Sequence, residues 1–236
     1  MKQIFIPEIT LNDSKIVVSD TYYTNYIINV LRYKQNDSLS ISANEKIYEV
    51  EIEKINKNNI IFSVKNTIVQ EINKNKVILI QSIIKHDRFE WLLEKCVEVG
   101  VDEIYPLITN RCVVKIDDFD SKKERWEKII FKALTQSHQT KPLQINNPIK
   151  LSDIKNLSGT KIAFDISYKN LTFDQSILHN TISPVMVCIG PEGGFENEEL
   201  LLLENMGVNI YKLNLPVLRA ETAAVVISAF VKMSLK

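Results

Sequence analysis

The chain has 236 residues, 45% of them hydrophobic, with 29 basic and 29 acidic side chains. That apolar share excludes a disordered chain, and the length suits one large domain or two modest ones. The balanced charge excludes a chain that is basic throughout, so any nucleic-acid surface has to come from local clusters.

Strands are expected at 3–6, 15–18, 38–42, 46–55 and 59–69, all rich in Ile and Val, with one short helix over 21–30. The run KIYEVEIEKI alternates apolar and charged residues, the two-residue period of a half-buried strand. Asn36-Asp37, Asn44-Glu45 and the residues 56–59 supply turns between them. A polar stretch at 70–76, QEINKNK, ends this part, and residues 1–72 read as a small β-barrel domain.

From 73 to 236 strand and helix alternate. VILIQSII at 77–84 is a strand. Asp87 is the expected cap of a helix whose apolar face is Phe89, Leu92, Leu93, Cys96 and Val97, stopped by Gly100. A strand near 103–108 follows. Ser121 and Glu124 form a capping-box pattern ahead of a helix with Trp126, Ile129, Ile130, Ala133 and Leu134 on one face. Strands at 161–166, 185–190 and 209–213 and helices at 198–206 and 221–233 complete the chain. Such alternation implies an α/β domain with a largely parallel sheet.

Cys96, Cys112 and Cys188 lie far apart with no CxxC pair, so the spacing offers neither a zinc site nor a disulfide framework. The N-terminus lacks an apolar signal core, and no uncharged apolar run approaches the ~20 residues of a membrane span. These features together read as a cytoplasmic protein.

Three of only six glycines fall in Gly190-Pro191-Glu192-Gly193-Gly194, directly after an apolar strand. Glycine lets backbone N–H groups approach a ligand, and the carboxyl ends of strands are where open α/β sheets bind one. The loop is neither a Walker loop nor GxGxxG. It is a tight β–α turn or a seat for a mononucleotide or adenosine-containing ligand. The second segment is LNLPVLRAETAA at 213–224, again a strand end, a loop with Pro216 and a helix start carrying Arg219, Glu221 and Thr222. It reads as a helix cap with a surface Arg–Glu pair or as a second ligand loop. Two such loops at one sheet edge favour ligand binding.

GPEGGF followed by an acidic helix start, then LNLPVLRAETAA about twenty residues on, resembles the RsmE family of 16S ribosomal RNA uridine-N3 methyltransferases, of the SPOUT class. QSIIKHDRFEWLLEKCVEVGVDEIYPLITNRCVVK and Val30-Leu31-Arg32 with Asn36-Asp37 are similar to the family's upstream segments, so the resemblance spans nearly the whole chain. It departs at Thr135-Gln136-Ser137-His138-Gln139, where the family often has Glu-Gln-Ser/Cys-Gly-Arg; either His138, Lys141 or a partner subunit takes that arginine's role, or the contact is lost.

The resemblance implies an N-terminal PUA-like RNA-binding β-barrel over 1–72, then a SPOUT α/β methyltransferase domain over 73–236 with a C-terminal trefoil knot. It also implies a homodimer, S-adenosylmethionine as cofactor without a metal, and 16S ribosomal RNA within the small subunit as substrate. The cofactor would rest on Phe164, Asp165, Ile189, Gly190, Pro191, Gly193, Leu213, Leu215, Pro216, Val217, Leu218, Thr222 and Ala223.

Methylating N3 of uridine requires removing its proton, so a cation beside the uracil carbonyls and a carboxylate within reach are needed. Arg219 is the expected cation, and Glu221 or Glu192 the base. Candidate RNA contacts are Arg32, Lys34, Lys85, Arg88, Arg111, Lys122, Lys123, Arg125 and Lys128. Residues 121–150 hold seven basic against two acidic side chains. The run at 121–128 is an RNA contact or a solvated helix face. Two rivals to this function remain: methylation of another RNA position, and a non-catalytic RNA-binding ribosome-assembly protein.

Overall fold

A computed structural model describes residues 2–69, 75–114, 119–167, 171–178 and 183–235. The chain forms two compact units: 1–72 with 131–142, and 73–130 with 143–236. The division at 72/73 was expected; the inclusion of 131–142 in the first unit was not.

The first unit is built on β1 (Gln3–Phe5), β2 (Thr10–Asn12), β3 (Lys15–Val18), β4 (Ser38–Ala43), β5 (Lys46–Ile55) and β6 (Ile60–Val69). They form one sheet in the order β1-β4-β5-β6-β3-β2, antiparallel except for the β1–β4 pair. The alternating run KIYEVEIEKI buries Tyr48, Val50 and Ile52, as its period demands. They join Ile4, Ile16, Ile27, Leu39, Ile41 and Phe62 in the core. The turn at Asn44-Glu45 has φ of 50° and 59°, the paired positive values of a two-residue hairpin loop. A second such turn, Asp13-Ser14 at 41° and 67°, joins β2 to β3. Strand β2 was not expected: it is three residues long and exposed throughout, so it carries no alternation to read.

The helix expected over 21–30 is α-helical only as α1 (Thr21–Asn25), then π-helical over Tyr26–Val30. Asp20 caps it by accepting from the backbone N–H groups of Tyr22 and Tyr23. Phe131 and Thr135 supply the first unit with a ring stacked on Phe5 at 5.6 Å and a hydroxyl accepting from the Phe5 N–H.

The second unit is a parallel sheet of β7 (Val77–Ser82), β8 (Glu103–Ile108), β9 (Gln144–Ile145), β10 (Ile149–Lys150), β11 (Thr160–Phe164), β12 (Val185–Ile189) and β13 (Asn209–Tyr211). Its order is β10-β8-β7-β12-β11-β13, with β9 also on β8. Every residue of β7 and β12 is buried, as strands covered on both faces must be. Helix α5 (Ala220–Ser234) packs over β7 and β12, and α2 (His86–Val99) packs against α5. On the other face α4 (Asn197–Asn205) buries Leu200 and Leu203 against Ile78, Ile80, Met186 and Cys188.

The buried residues of α2 are Phe89, Leu92, Leu93, Cys96 and Val97, the expected face, and Gly100 ends it in the left-handed conformation at φ 78°. Its start differs from expectation: Lys85 is the N-cap and Asp87 sits inside the first turn. Helix α3 (Phe119–Ser137) begins ahead of Ser121, so Ser121 and Glu124 do not form its capping box. A reciprocal box does occur at α4, where Glu196 and Glu199 cap each other. No helix among the described residues is long and apolar enough to cross a membrane.

Lys232 of α5 reaches Asp102 Oδ2 at 2.7 Å, and the same oxygen accepts from the Val77 N–H. Asp102 is buried, so removing it strands a half-buried ammonium and a backbone donor. Asp102→Ala is expected to lower the unfolding free energy by about 2 kcal/mol. Urea titration reads this, and a change under about 0.5 kcal/mol would make the tie no more than a surface pair.

Cys96 and Cys188 are fully enclosed, Cys112 half-buried. Burial pushes both enclosed thiols up, Cys188 to about 12, so neither is a thiolate near neutral pH. Cys112 Sγ lies 3.2 Å from Thr109 Oγ1.

Candidate active site

The carboxyl ends of β11, β12 and β13 lie side by side, and the loops leaving them enclose a cavity of about 630 Å³. Phe164 and Asp165 line it from β11. Ile189, Gly190, Pro191 and Glu192 line it from β12, joined by Gly194. Leu213, Leu215, Pro216, Val217 and Leu218 line it after β13, followed by Arg219 and Ala223. Ile166, Lys212, Ala220, Ile227 and Arg88 complete the wall; none of these was expected there as a cofactor contact.

Two glycines shape the loop after β12. A Cβ on Gly190 would stand 3.2 Å from Phe195 N and 3.3 Å from Gly194 C, so the backbone closes on itself there. Gly194 has φ +68°, and its Cβ would face the Asp165 carboxylate at 3.4 Å. Gln81, buried at the end of β7, donates to the Gly190 carbonyl at 3.3 Å and holds the loop to the sheet.

Gly193 departs from the expectation that it approaches the cofactor. It is exposed and off the cavity wall, and its missing side chain makes room for Arg111, whose Cδ would be 3.3 Å from a Cβ. Arg111 donates to the Gly193 carbonyl at 2.7 Å and to that of Phe195 at 3.4 Å. Beside it, Asn110 donates from its backbone to Glu199 and from its side chain to Glu196, both at 2.8 Å. Arg111, a candidate RNA contact in the sequence, braces the glycine loop.

Thr222 also lies off the wall, one residue short of Ala223 on α5. Glu221 differs more. It is 6% exposed and off the wall, so its carboxylate does not open to the cavity. Its Oε1 lies 3.8 Å from Arg88 Nε, and its Oε2 is buried without a hydrogen-bond partner. The surface Arg–Glu pair that was the alternative reading of this segment does not occur between Arg219 and Glu221 among the described residues. Arg219 is the N-cap of α5, exposed, and makes no ion pair among the described residues.

Glu192 does reach the cavity. Its Oε1 lies 3.4 Å from Arg88 Nη1 and 3.5 Å from the Lys85 N–H at the start of α2. Arg88, a candidate RNA contact in the sequence, stands on the cavity wall beside both carboxylates. Its carboxylate partners lie more than a hundred positions away in the chain, and no local pattern marks it.

Of the other basic candidates, Arg125 is paired with Glu90 at 2.7 Å and Lys128 with Glu124 at 2.7 Å. Lys122 and Lys123 are half-exposed on the same helix. Arg32 and Lys34 are exposed in the first unit, Arg32 with φ 60°.

The model of an RNA methyltransferase domain matches residues 71–232, and that of an RNA methyltransferase PUA domain matches 24–65. The ribosomal RNA small subunit methyltransferase E of Mesomycoplasma hyopneumoniae is 32% identical over 203 residues, 84% of this chain and 86% of its own. Ribosomal RNA small subunit methyltransferase E 2 of Borreliella burgdorferi is 30% identical over 239 residues, 100% of this chain and 98% of its own. A methyltransferase of Legionella pneumophila, solved with bound cofactor SAM, is 27% identical and superposes with a TM-score of 0.85, covering 98% of this chain and 96% of that one. A PUA-like sheet followed by a SPOUT-type parallel domain, matched by these relatives over 84 to 100% of its length, means that the chain belongs to the ribosomal RNA small subunit methyltransferase E family of RNA methyltransferases.

Proposed function

We propose that this chain methylates N3 of a uridine in small-subunit ribosomal RNA, using S-adenosylmethionine. The observation that carries the reading is the three-loop cavity with Arg219 and Glu192 on its wall. Its volume lies in the range of small-molecule sites, roughly 300–1,000 Å³. The residues fit the cofactor: loops from three strand ends line the space, and Leu213, Leu215, Val217 and Leu218 offer it apolar contact on one side. The cofactor supplies a methyl group already activated on a sulfonium, so the chain's own task is to seat the uracil and manage its proton.

Arg219 lines the cavity and makes no ion pair among the described residues, and in this reading it holds negative charge on a uracil carbonyl as N3 loses its proton. Glu192 is the proton acceptor in this reading, because it alone of the two expected bases reaches the wall. On that helix Lys122 and Lys123 stand beside the paired Arg125 and Lys128 as its contribution toward RNA phosphates in this reading.

A homodimer belongs to the same proposal. Val226, Phe230 and Met233 lie exposed at helical spacing on α5, an apolar stripe suited to a second copy. Sedimentation at twice the 27.2 kDa chain mass is the expected result; a monomer at micromolar concentration removes this part. The trefoil knot implied by the resemblance completes the proposal.

Mass mapping of ribosomal RNA nucleotides tests the central claim. Small subunits and naked RNA are both offered, since the target base has to leave its stack at a cost of a few kcal/mol. One uridine gaining a methyl at N3 is the expected outcome. A protein that binds the cofactor yet methylates no uridine in either substrate ends the proposal.

A further inference from the structure

We propose that Arg88 is a positioning residue for Glu192, and that Glu221 is the buried anion that holds Arg88; the inference rests on the proposed role of Glu192 as proton acceptor. Arg88 stands in the first turn of α2, between the two carboxylates. One edge of its guanidinium meets Glu192 at 3.4 Å, and Nε meets Glu221 at 3.8 Å. A planar fork with separate N–H groups can address two acids at once, which a lysine ammonium does with less directional control.

Glu221 gives the arrangement its sense. A buried carboxylate with one oxygen unbonded is costly unless a cation is held beside it. It sits in the first turn of α5, where the helix dipole favours an anion. Arg88 is its only ion-pair partner among the described residues. Glu192 in turn lies at the N-terminal end of α2, receiving the Lys85 N–H. Asp165, Lys212 and Arg219 also line the cavity, yet Arg88 is the only cation at ion-pair distance from Glu192 among the described residues. A guanidinium engaged by two acids is poorly placed for an RNA phosphate, the role the sequence suggested.

The test is a double-mutant cycle on the full-length protein, with the wild-type product identified first. Arg88→Gln is expected to lower kcat by roughly ten- to a hundredfold, the range of a misplaced reacting group. The RNA KM should shift by less than about threefold, and Arg88→Lys should recover part of kcat, since a cation without the fork remains. Adding Arg88→Gln to Glu192→Gln should cost no more than about twofold beyond Glu192→Gln alone, because the residue acted through is already gone. Glu221→Gln should lower kcat in the same direction.

Multiplicative losses in the double variant overturn the inference, as does a Glu192→Gln variant with wild-type kcat. So does an Arg88→Gln variant whose RNA KM rises at constant kcat with a salt slope smaller by about one, the signature of a lost phosphate contact. A wild-type product methylated at another atom would defeat the proposed target while leaving the Arg88–Glu192 coupling readable on that product.

Discussion

Replacing Arg219 with alanine is expected to lower methyl transfer in the proposed reaction by about a hundredfold to a thousandfold, the usual cost of removing a positioned electrostatic donor. The fold should be unaffected. Arg219 is exposed, its side chain makes no cap hydrogen bond to α5, and it has no ion pair to lose among the described residues. Cofactor affinity should also hold, because in the proposed site the cofactor rests on the three loops rather than on Arg219. The loss falls on the transition state, where charge appears on the uracil as N3 gives up its proton. Raising the pH ionises more uridine beforehand and should rescue a Glu192→Gln variant more than the Arg219 variant. Single-turnover rates beside calorimetric cofactor affinities make the measurement. If Arg219→Ala loses affinity and rate by equal factors, the arginine holds the cofactor and not the base.

The second large effect concerns two glycines of one loop. Gly190→Val is expected to weaken cofactor binding by roughly ten- to a hundredfold, corresponding to about 1–3 kcal/mol of forced displacement. The reason is local: its Cβ would press on the backbone of Phe195 and Gly194, which has nowhere to move without opening the loop. Gly193→Val should change affinity by less than about threefold, since an exposed site that meets only the flexible stem of Arg111 relaxes cheaply. Equal losses at both positions would show that the loop responds as one unit, and the distinction drawn from Cβ contacts would fail.

The legibility of the fold followed the strength of local patterns. The face of α2 could be read residue by residue because five apolar positions recur at helical spacing with a glycine stop. Strand β2 could not, having only three exposed residues. The start of α2 was misread because Asp87 resembles a cap in sequence, yet the chain turns helical at His86. The assignment of 131–142 to the first unit depends on Phe131 and Thr135 meeting Phe5, a contact 126 to 130 residues distant along the chain, invisible to any window.

The site shows the same division. The loop after β12 was legible because glycine is scarce here and concentrated in it. The rotation of Glu221 was not, since a single residue at a helix start has no period to place it inside or outside. Nor was the reason for Gly193, which depends on an arginine 82 positions earlier.

The contrast among the three cysteines makes the native chain ready for fluorescence work. A thiol-reactive dye should find Cys112 and pass over Cys96 and Cys188, both enclosed and held protonated. The label would then sit one residue from Arg111, whose guanidinium grips the glycine loop. A dye at that point would report the loop's response to nucleotide ligands in real time, without a cysteine-free background having to be built first.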